Sequence, residues 1–340
     1  MRITKKHIIA LVIVIGIAFF ISTYKLPYYI YKPGGADSLD PIVKVENGHE
    51  SKGDMHLVTV RGGQATPVQY VWAKLLPNQE VMPLEDVRPE GVSEDEYFHA
   101  QLQMMESSQQ AAKVVAYKAA DKTITINYNG VYVVSVVDNM PADNKLQAGD
   151  HIKKVDGNNV EETNDLLDYM KTKNPGDTVT VTFKRDKETM TEDISLEKFS
   201  DEDTKAGIGI RLVTDRSVAV DPEVNFSSGE IGGPSAGLMF SLEMYDQLTE
   251  EDLTKGYEVA GTGEIDYQGN VHPIGGVDKK VIAADDKGCQ IFFANSNDGA
   301  EDSNYHAAVK TAEEINTDMD IVPVDTFQDA LEYLEDLDSA

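Results

Sequence analysis

The chain begins with its longest apolar run, which no formal charge interrupts between His7 and Tyr24. As a helix rising 1.5 Å per residue, this run spans about 27 Å, close to the thickness of the bilayer hydrocarbon. No Ala-x-Ala-like cleavage site follows it, and the tyrosines at 28, 29 and 31 are typical of an interfacial aromatic belt. The pattern favours an uncleaved transmembrane helix at 7–24 over a cleaved signal peptide.

The residues on either side of this apolar run predict its orientation. The start of the chain, 1–6, contains three basic residues and no acid. By the positive-inside rule, this start lies in the cytoplasm and the chain after Lys25 lies outside it. Residues 25–37 are predicted to form a juxtamembrane linker that leads to the folded part of the chain.

Short apolar alternations and one long helical periodicity follow the linker. Val43–Val45 and Met55–Val60 are predicted strands, and Gly62-Gly63 is a predicted turn. Ser93-Glu-Asp-Glu96 is a capping box, which predicts the start of a helix that reaches Ala120.

Residues 201–340 predict strands that alternate with helices. The predicted strands are Val218–Val220, Tyr257–Thr262, Ile291–Ala294 and Ile321–Pro323. The predicted helices are Pro234–Gln247, Val277–Lys287, Tyr305–Ile315 and Phe327–Leu334. This alternation indicates a domain that mixes helices with a sheet.

Residues 121–200 are instead rich in strand patterns, with a single predicted helix near Asn164–Lys173. The run Ala-Gly-Asp-x-Ile-x-x-Val-Asp-Gly, which ends at Gly157, resembles a PDZ domain of the bacterial peptidase-associated type. Such domains add an extended peptide to a sheet edge and hold its terminal carboxylate in backbone N–H groups. The resemblance assigns that role to four residues of one loop, Gly130, Val131, Tyr132 and Val133. A role as a spacer without peptide binding is the alternative.

Composition excludes several classes of function. The chain carries 59 acidic and 30 basic residues, a net charge of −29, which would repel the phosphates of nucleic acids. Its single cysteine, Cys289, excludes an intramolecular disulfide and any Cys-x-x-Cys metal site. The seven histidines include no His-x-x-x-His pair, so no metal and no cofactor are predicted.

The first candidate catalytic motif is Gly232-Gly-Pro-Ser-Ala-Gly237, which stands directly before an apolar helix. Pro234 suits a first helical turn, which would place Ser235 at a helix N-terminus. Free backbone N–H groups there favour developing negative charge, as an oxyanion site requires. Gly233, Pro234 and Ala236 are therefore predicted to support Ser235. A Gly-Pro turn that only starts a helix explains the hexapeptide equally well.

Two further motifs, Gly261-Thr-Gly-Glu-Ile265 and Gly275-Gly-Val-Asp-Lys-Lys280, follow the serine motif. Together the three motifs resemble the proteolytic domain of the Lon family of serine–lysine peptidases. The resemblance implies that Ser235 is the nucleophile, Lys280 the general base, and Thr262 a hydrogen-bonding support for the lysine. It also selects Lys280 over the adjacent Lys279. A lysine acts as a base only if its pKa falls from about 10.4 towards neutrality, and burial lowers it in this way.

The predicted fold class is α+β: a Lon-type proteolytic domain formed by 38–120 and 201–340, with a PDZ-like β-rich domain inserted at 121–200 and one transmembrane helix before it. This arrangement resembles extracytoplasmic Lon-like peptidases of Gram-positive bacteria, some of which process pheromones. The chain lacks a Gly-x-x-x-x-Gly-Lys-Ser/Thr phosphate loop, so an ATP-independent peptidase of peptides or unfolded segments is expected. The sequence does not decide whether the chain forms a homo-oligomer.

Two other interpretations compete with this one. Gly-x-Ser-x-Gly also fits the nucleophile elbow of α/β-hydrolases, with a later Asp266 and His272, or Asp298 and His306, as triad partners. A non-catalytic adaptor would be a membrane-tethered PDZ module on an inactive protease scaffold. Loss of the candidate serine or lysine would identify such an adaptor, and both residues are present.

Overall fold

The computed structural model describes residues 5–88, 92–199 and 206–340. The helices in these ranges are α1 (Lys5–Thr23), α2 (Pro67–Leu75), α3 (Leu84–Val87), α4 (Glu94–Ala119), α5 (Thr163–Lys171), α6 (Gly237–Leu248), α7 (Val277–Lys287), α8 (Asn304–Ile315) and α9 (Phe327–Glu335). The strands in the first half are β1 (Tyr28–Ser38), β2 (Val43–Val45), β3 (Asp54–Gln64), β4 (Glu80–Pro83), β5 (Thr123–Val136), β6 (His151–Val155), β7 (Asn158–Asn159) and β8 (Thr178–Arg185). Those that follow are β9 (Glu188–Ser195), β10 (Glu197–Lys198), β11 (Ala206–Gly207), β12 (Ile210–Asp221), β13 (Val224–Phe226), β14 (Glu258–Thr262), β15 (Glu264–Ile265), β16 (Val271–His272), β17 (Ile291–Asn295) and β18 (Asp320–Val324).

The chain divides into two compact units, and the second is inserted into the sequence of the first. The first unit comprises Met1–Thr123 and Val220–Ala340, and the second comprises Ile124–Ala219. The α+β fold class predicted from the sequence is confirmed. Arg2, part of the predicted cytoplasmic start, and the predicted boundary at residue 200 lie outside the described residues.

The first unit is built on a six-stranded sheet in the order β18-β17-β14-β3-β1-β4. The pairs from β3 to β18 are parallel, whereas β1 pairs antiparallel with β3 and β4. Adjacent residues of a strand face opposite sides of a sheet. Ala260 packs with α7 and α8 in one core cluster, whereas Gly261 faces Met239 of α6. Helices therefore cover both faces, which explains why every residue of β17 is buried.

Two predictions about the start of this unit are wrong. The predicted linker at 25–37 contains β1, whose tyrosines pair with β3 and β4 in the sheet. The predicted Gly62-Gly63 turn lies inside β3, opposite Tyr31 and Ile30. A Cβ atom at Gly62 would lie 2.5 Å from the ring of Tyr29, so this glycine accommodates an aromatic side chain of the neighbouring strand.

The helix boundaries that rest on local capping agree with the prediction. Ser93 Oγ accepts the N–H of Glu96, and the Glu96 carboxylate accepts the N–H of Ser93. This closed capping box starts α4. Gly288 ends α7 in the left-handed conformation, as predicted.

Helix α1 is long and apolar enough to cross a membrane, by length and composition only, and a signal sequence would pass the same test. Its C-terminal end connects to the first unit through backbone hydrogen bonds. Leu26 N–H donates to Ala65 O at 2.8 Å, and Ala65 N–H donates to Tyr28 O at 2.8 Å.

The second unit is a sheet in the order β12-β5-β6-β8-β9, with β7 beside β6 and with helix α5. The strand patterns at the start of this segment form one long strand, β5. The strand predicted at 218–220 is the end of the longer β12. Val131, Val133, Ile152 and Phe183 belong to the buried core of this unit.

Candidate active site

Three predicted residues from separate elements meet at one point of the first unit. The Lys280 Nζ lies 2.6 Å from Ser235 Oγ and 2.8 Å from Thr262 Oγ1. The Thr262 hydroxyl donates to the backbone oxygen of Ser235 at 3.0 Å. The lysine thus contacts both hydroxyl groups, and the threonine also fixes the backbone of the serine.

The three elements present these side chains for identifiable reasons. Thr262 is the last residue of β14, at the carboxyl end of a central parallel strand. Lys280 lies in the first turn of α7, which follows Gly276 in the left-handed conformation with φ +71°. The Gly276 carbonyl accepts the N–H of Lys280 at 3.2 Å. A residue with a side chain would be strained at the positive φ of Gly276. This glycine therefore sets the direction in which α7 starts.

The sequence predicted from Pro234 that Ser235 lies in the first turn of the helix, but the structure places it before the helix. Helix α6 begins at Gly237, and Ala236 is its N-cap residue. The Ser235 carbonyl accepts hydrogen bonds from Gly263 N–H and from the Thr262 hydroxyl, both at 3.0 Å. It is therefore directed to the end of β14 and not along the helix, which delays the helix start by three residues relative to the prediction.

The backbone around the serine offers donors to a reacting group. Within the described ranges, the N–H groups of Ser235 and Ala236 donate no hydrogen bond. Gly233 adopts φ +91°, and its N–H donates to Gln101 O of α4 at 2.8 Å. The Pro234 carbonyl is held by the Ser108 hydroxyl at 2.8 Å. The loop is thus fixed from α4 while two N–H groups beside the serine stay available to a developing oxyanion.

Burial tunes the electrostatics of Lys280. Its side chain is only 3% exposed, and burial lowers the pKa of Lys280 to about 7. The neutral amine is therefore well populated near neutral pH.

Lys279 is as buried as its neighbour but has acidic partners. Its Nζ donates to Glu80 Oε2 at 2.6 Å and to Asp278 Oδ2 at 2.7 Å. Burial alone would lower the pKa of Lys279, but hydrogen bonds to these two carboxylates outweigh it and raise the pKa. Lys279 therefore stays an ammonium, unsuited to accept a proton.

A cavity of about 560 Å³ opens over the serine within the first unit. One wall is formed by residues 57–60 of β3, and another by Phe98, Gln101 and Met105 of α4. Ser235 and Lys280 both line it. An extended peptide segment can reach the hydroxyl of the serine through this cleft.

The geometry contradicts the α/β-hydrolase alternative. Ser235 Oγ contacts Lys280, and β13 ends at Phe226, so no strand leads directly into the serine turn. His272 pairs with Asp266 at 3.2 Å, while His306 Nδ1 lies 2.9 Å from Ser303 Oγ and not beside Asp298. Neither histidine has the serine as a partner in the part of the chain that is described.

One group among the described residues could hold a metal ion by distance alone, namely Asp54, His56 and Glu258. His56 Nε2 lies 2.6 Å from Glu258 Oε2, whereas the buried His56 Nδ1 has no hydrogen-bond partner among the described residues. None of the three lines the cleft above Ser235. The three residues lie on the neighbouring strands β3 and β14, and their arrangement assigns no metal to the reaction.

The residues predicted to bind peptide in the second unit have no free sheet edge. Gly130, Val131, Tyr132 and Val133 lie in β5, between β12 and β6. Val131 and Val133 are buried in the core. The ring of Tyr132 stacks on His151 with 4.0 Å between ring centroids. This predicted binding loop is therefore wrong, because both neighbouring strand positions are already occupied.

Elsewhere in the second unit, a cavity forms a groove with an apolar lining. The cavity of about 350 Å³ lies between α5 and residues 206–212. Its apolar lining includes Leu166, Leu167 and Met170 of α5. The opposite side is the segment 206–212, in which Gly207 and Gly209 leave room for the side chains of Phe199 and Met140.

Comparisons with known proteins match two separate parts of the chain. Residues 213–335 match the Lon protease (S16) C-terminal proteolytic domain, and residues 100–196 match the PDZ domain family. The Lon protease of Campylobacter jejuni subsp. jejuni is 33% identical over 131 residues, which are 35% of this chain and 16% of that protein. The peroxisomal Lon protease homolog 2 of Caenorhabditis elegans is 32% identical over 118 residues, 34% of this chain and 14% of that protein.

The chain thus spans less than a fifth of the length of these relatives. The crystal structure of the PDZ domain of an SdrC-like protein from Listeria monocytogenes is 39% identical, covers 26% of this chain and 93% of that chain, and has a TM-score of 0.25. By the two family matches and the geometry around Ser235, the chain carries a serine peptidase domain of the Lon type together with a PDZ domain.

Proposed function

We propose that this chain is a membrane-anchored, ATP-independent serine endopeptidase that cleaves extracytoplasmic peptides or unstructured protein segments. The observation that carries the proposal is the 2.6 Å contact between Lys280 Nζ and Ser235 Oγ. A serine hydroxyl becomes an effective nucleophile when an adjacent base takes its proton. Burial lowers the pKa of Lys280 to about 7, which gives it that capacity near neutral pH.

The proposed reaction proceeds through an acyl-enzyme formed on Ser235. Neutral Lys280 accepts the hydroxyl proton of Ser235 while Oγ attacks the carbonyl carbon of the scissile bond. The N–H groups of Ser235 and Ala236 bind the resulting oxyanion. The Lys280 ammonium then protonates the leaving amine, and a water activated by the same lysine hydrolyses the acyl-enzyme. Thr262 keeps the lysine oriented through its hydroxyl oxygen.

Peptides and unfolded segments are the proposed substrates because the sequence holds no phosphate loop that would drive unfolding. The cleft admits an extended chain, whereas a folded domain has no such segment to offer. Small peptides such as pheromones are proposed to be among these substrates, because the sequence resembles extracytoplasmic peptidases that process them.

The groove between α5 and residues 206–212 is proposed to bind a C-terminal segment of the substrate. Its apolar lining suits the apolar side chains of such a segment. The anchor is proposed to be α1, with its basic N-terminal side in the cytoplasm and the peptidase outside.

A serine-reactive phosphonate probe tests the activity on the full chain in detergent. The wild-type chain is expected to react covalently with the probe and to cleave an unstructured reporter peptide, with no direct effect of ATP or EDTA. Ser235→Ala should abolish labelling and cleavage. A correctly folded wild-type chain that neither reacts nor cleaves would indicate a non-catalytic adaptor instead.

A further inference from the structure

Helix α2 presents an apolar face that nothing in the described structure covers. Val71 is 57% exposed, Trp72 56% and Leu75 72%, and Leu76 beside them is also exposed. The helix is well formed, because a closed capping box at Thr66 starts it. Contiguous exposed apolar groups of this kind mark surfaces that bind a partner or a membrane.

The charges around α2 differ in sign from those of the rest of the chain. The segments 25–36 and 55–79 contain four basic residues, Lys25, Lys32, Arg61 and Lys74, and not one Asp or Glu. In the whole chain, acidic residues outnumber basic ones by 59 to 30. Across the described ranges, none of these four cations forms an ion pair. Acidic residues stand directly outside these segments, at Asp37, Asp54 and Glu80, so the segments form a local excess of positive charge.

Three of these cations surround one cavity. Lys25, Lys32 and Arg61 line a space of about 380 Å³ together with Trp72 and the amide groups of Gln64 and Gln69. Cationic and amide donors next to an indole suit the phosphate of a lipid headgroup, where tryptophan is also enriched.

This surface is continuous with the predicted membrane span. Lys25 follows α1 by two residues, and α1 contacts α2. Gln64, which immediately precedes Ala65 and the cap of α2, donates through Nε2 to Leu26 O at 2.9 Å. If α1 crosses the bilayer, its end lies at the headgroup level, and these bonds hold α2 at the same level.

We propose that α2 and the basic cavity beside it dock on the anionic surface of the bilayer. The apolar face of α2 enters the boundary between headgroups and acyl chains, and Lys25, Lys32 and Arg61 bind lipid phosphates. This inference rests on the membrane anchor of the proposed function. Its consequence is that the first unit is held against the membrane by a surface and not only by a single helix.

Trp72 is the only tryptophan of the chain, so its fluorescence reports this surface alone. The full chain is reconstituted into vesicles of phosphatidylglycerol or of phosphatidylcholine. In phosphatidylglycerol, we expect a blue-shifted emission that is quenched by lipids brominated near the headgroup and protected from aqueous iodide. In phosphatidylcholine, we expect weaker quenching by the brominated lipids.

Charge reversal at the cavity tests the lipid contact itself. Lys32→Glu combined with Arg61→Glu should reduce the quenching in phosphatidylglycerol to the level found in phosphatidylcholine, with cleavage of a short soluble peptide unchanged. The matched control combines Lys52→Glu with Lys122→Glu, two exposed lysines of the first unit outside this surface. It carries the same change of net charge and should keep the lipid difference.

The outcomes separate this inference from the anchor. A chain that resists alkaline extraction, but whose Trp72 is quenched by iodide and not by brominated lipid, overturns the docking and leaves the anchor intact. A Trp72 protected from both quenchers in a concentration-dependent way indicates a second copy of the chain and also overturns it. A chain released by alkali refutes the anchor and the docking together.

Discussion

At the residue scale, Lys279 and Lys280 are neighbours in sequence and equally buried, but their amines have different surroundings. Consecutive residues of a helix point about 100° apart. Lys279 therefore reaches the carboxylates of Glu80 and Asp278, whereas the partners of Lys280 among the described residues are the hydroxyls of Ser235 and Thr262. The sequence alone could not separate the two, since Glu80 is distant along the chain; the family resemblance made the choice, and the hydrogen bonds supply its physical reason.

We therefore expect the two lysines to respond differently to substitution. Lys280→Ala should lower kcat by about a thousandfold or more, since serine without its base is nearly inert. Lys280→Arg should fail as well, because a guanidinium does not deprotonate at usable pH. Lys279→Ala should keep most activity and lose some stability. Steady-state cleavage of one reporter peptide measures all three variants.

The reverse pattern would refute the assignment of the base. If Lys279→Ala abolished cleavage while Lys280→Ala left it intact, the proton would pass to Lys279. The double variant Ser235→Ala, Lys280→Ala should be little slower than either single variant, because the two groups act as a unit.

The buried amine also predicts the pH dependence of the rate. Because burial lowers the pKa of Lys280 to about 7, kcat/KM should rise with pH through that value as the amine loses its proton. The rate of peptide cleavage from pH 5 to 11, with the enzyme shown to stay folded over that range, measures the midpoint. A midpoint near 10, the ordinary value for lysine, would show that the base is not desolvated.

The same shift links catalysis to stability. In the unfolded chain the lysine has an ordinary pKa of about 10.4, whereas the folded value is about 7. Between these values the unfolded chain binds more protons, so the free energy of unfolding rises with pH, by at most about 1.4 kcal/mol per pH unit. Lys280→Met removes this contribution. We expect the variant to be more stable than the wild-type chain at pH 7, with an advantage that shrinks towards pH 10.

Urea unfolding at several pH values measures this difference. Ser235→Ala is the matched control, since it stops catalysis but keeps the lysine. A Met variant that is less stable than Ser235→Ala at pH 7 would contradict the idea that the buried amine is held at a cost in folding free energy.

At the scale of elements, the sequence predicted what local chemistry determines. Helices α4 and α7 were predicted with nearly correct ends because the capping box at Ser93 and the Gly288 cap act within a few residues. Strand β1 was missed because its partner β3 is distant in the chain and because its tyrosines also fit a membrane interface. The start of α6 was placed too early because the carbonyl of Ser235 bonds to Gly263, which no local pattern shows.

The candidate site was also predictable from short motifs but not from contacts between distant parts of the chain. The serine, lysine and threonine could be predicted because their motifs resemble a family, although their meeting point depends on three separate elements. The peptide loop was placed in the first strand of the inserted unit, whereas the segment that faces α5 comes at its end, at 206–212. Which segment closes the groove depends on tertiary pairing, and strand patterns do not encode that order.

The groove beside α5 yields a prediction of its own. Leu167 lines the groove and is partly exposed, so Leu167→Glu should fold normally. It should weaken binding of a peptide with a free C-terminal carboxylate by roughly tenfold or more, because it removes about 1.5–3 kcal/mol of apolar burial and adds repulsion. Val134→Glu changes an exposed valine of β5 outside the groove and is the control. Fluorescence anisotropy of a labelled peptide on the full chain measures both.

Equal loss in the two variants would show that the unit is merely destabilised, and no loss in either would show that peptides bind elsewhere. Cleavage of a short peptide with a blocked C-terminus should be unaffected by Leu167→Glu. That comparison separates a role in substrate presentation from a role in the chemical step.

At the scale of the whole molecule, the proposed function depends on which side of the membrane holds the peptidase. Arg2, Lys5 and Lys6 precede the apolar part of α1, and the positive-inside rule predicts that this end lies in the cytoplasm. Residues 25–340 should then be degraded by protease added to intact cells stripped of their wall, as detected by an antibody to the C-terminus. Replacing Arg2, Lys5 and Lys6 by Glu should make part of the population resistant, because the bias of charge across α1 would reverse. A wild-type C-terminus that is protected until the membrane is broken would place the peptidase in the cytoplasm and exclude extracytoplasmic substrates.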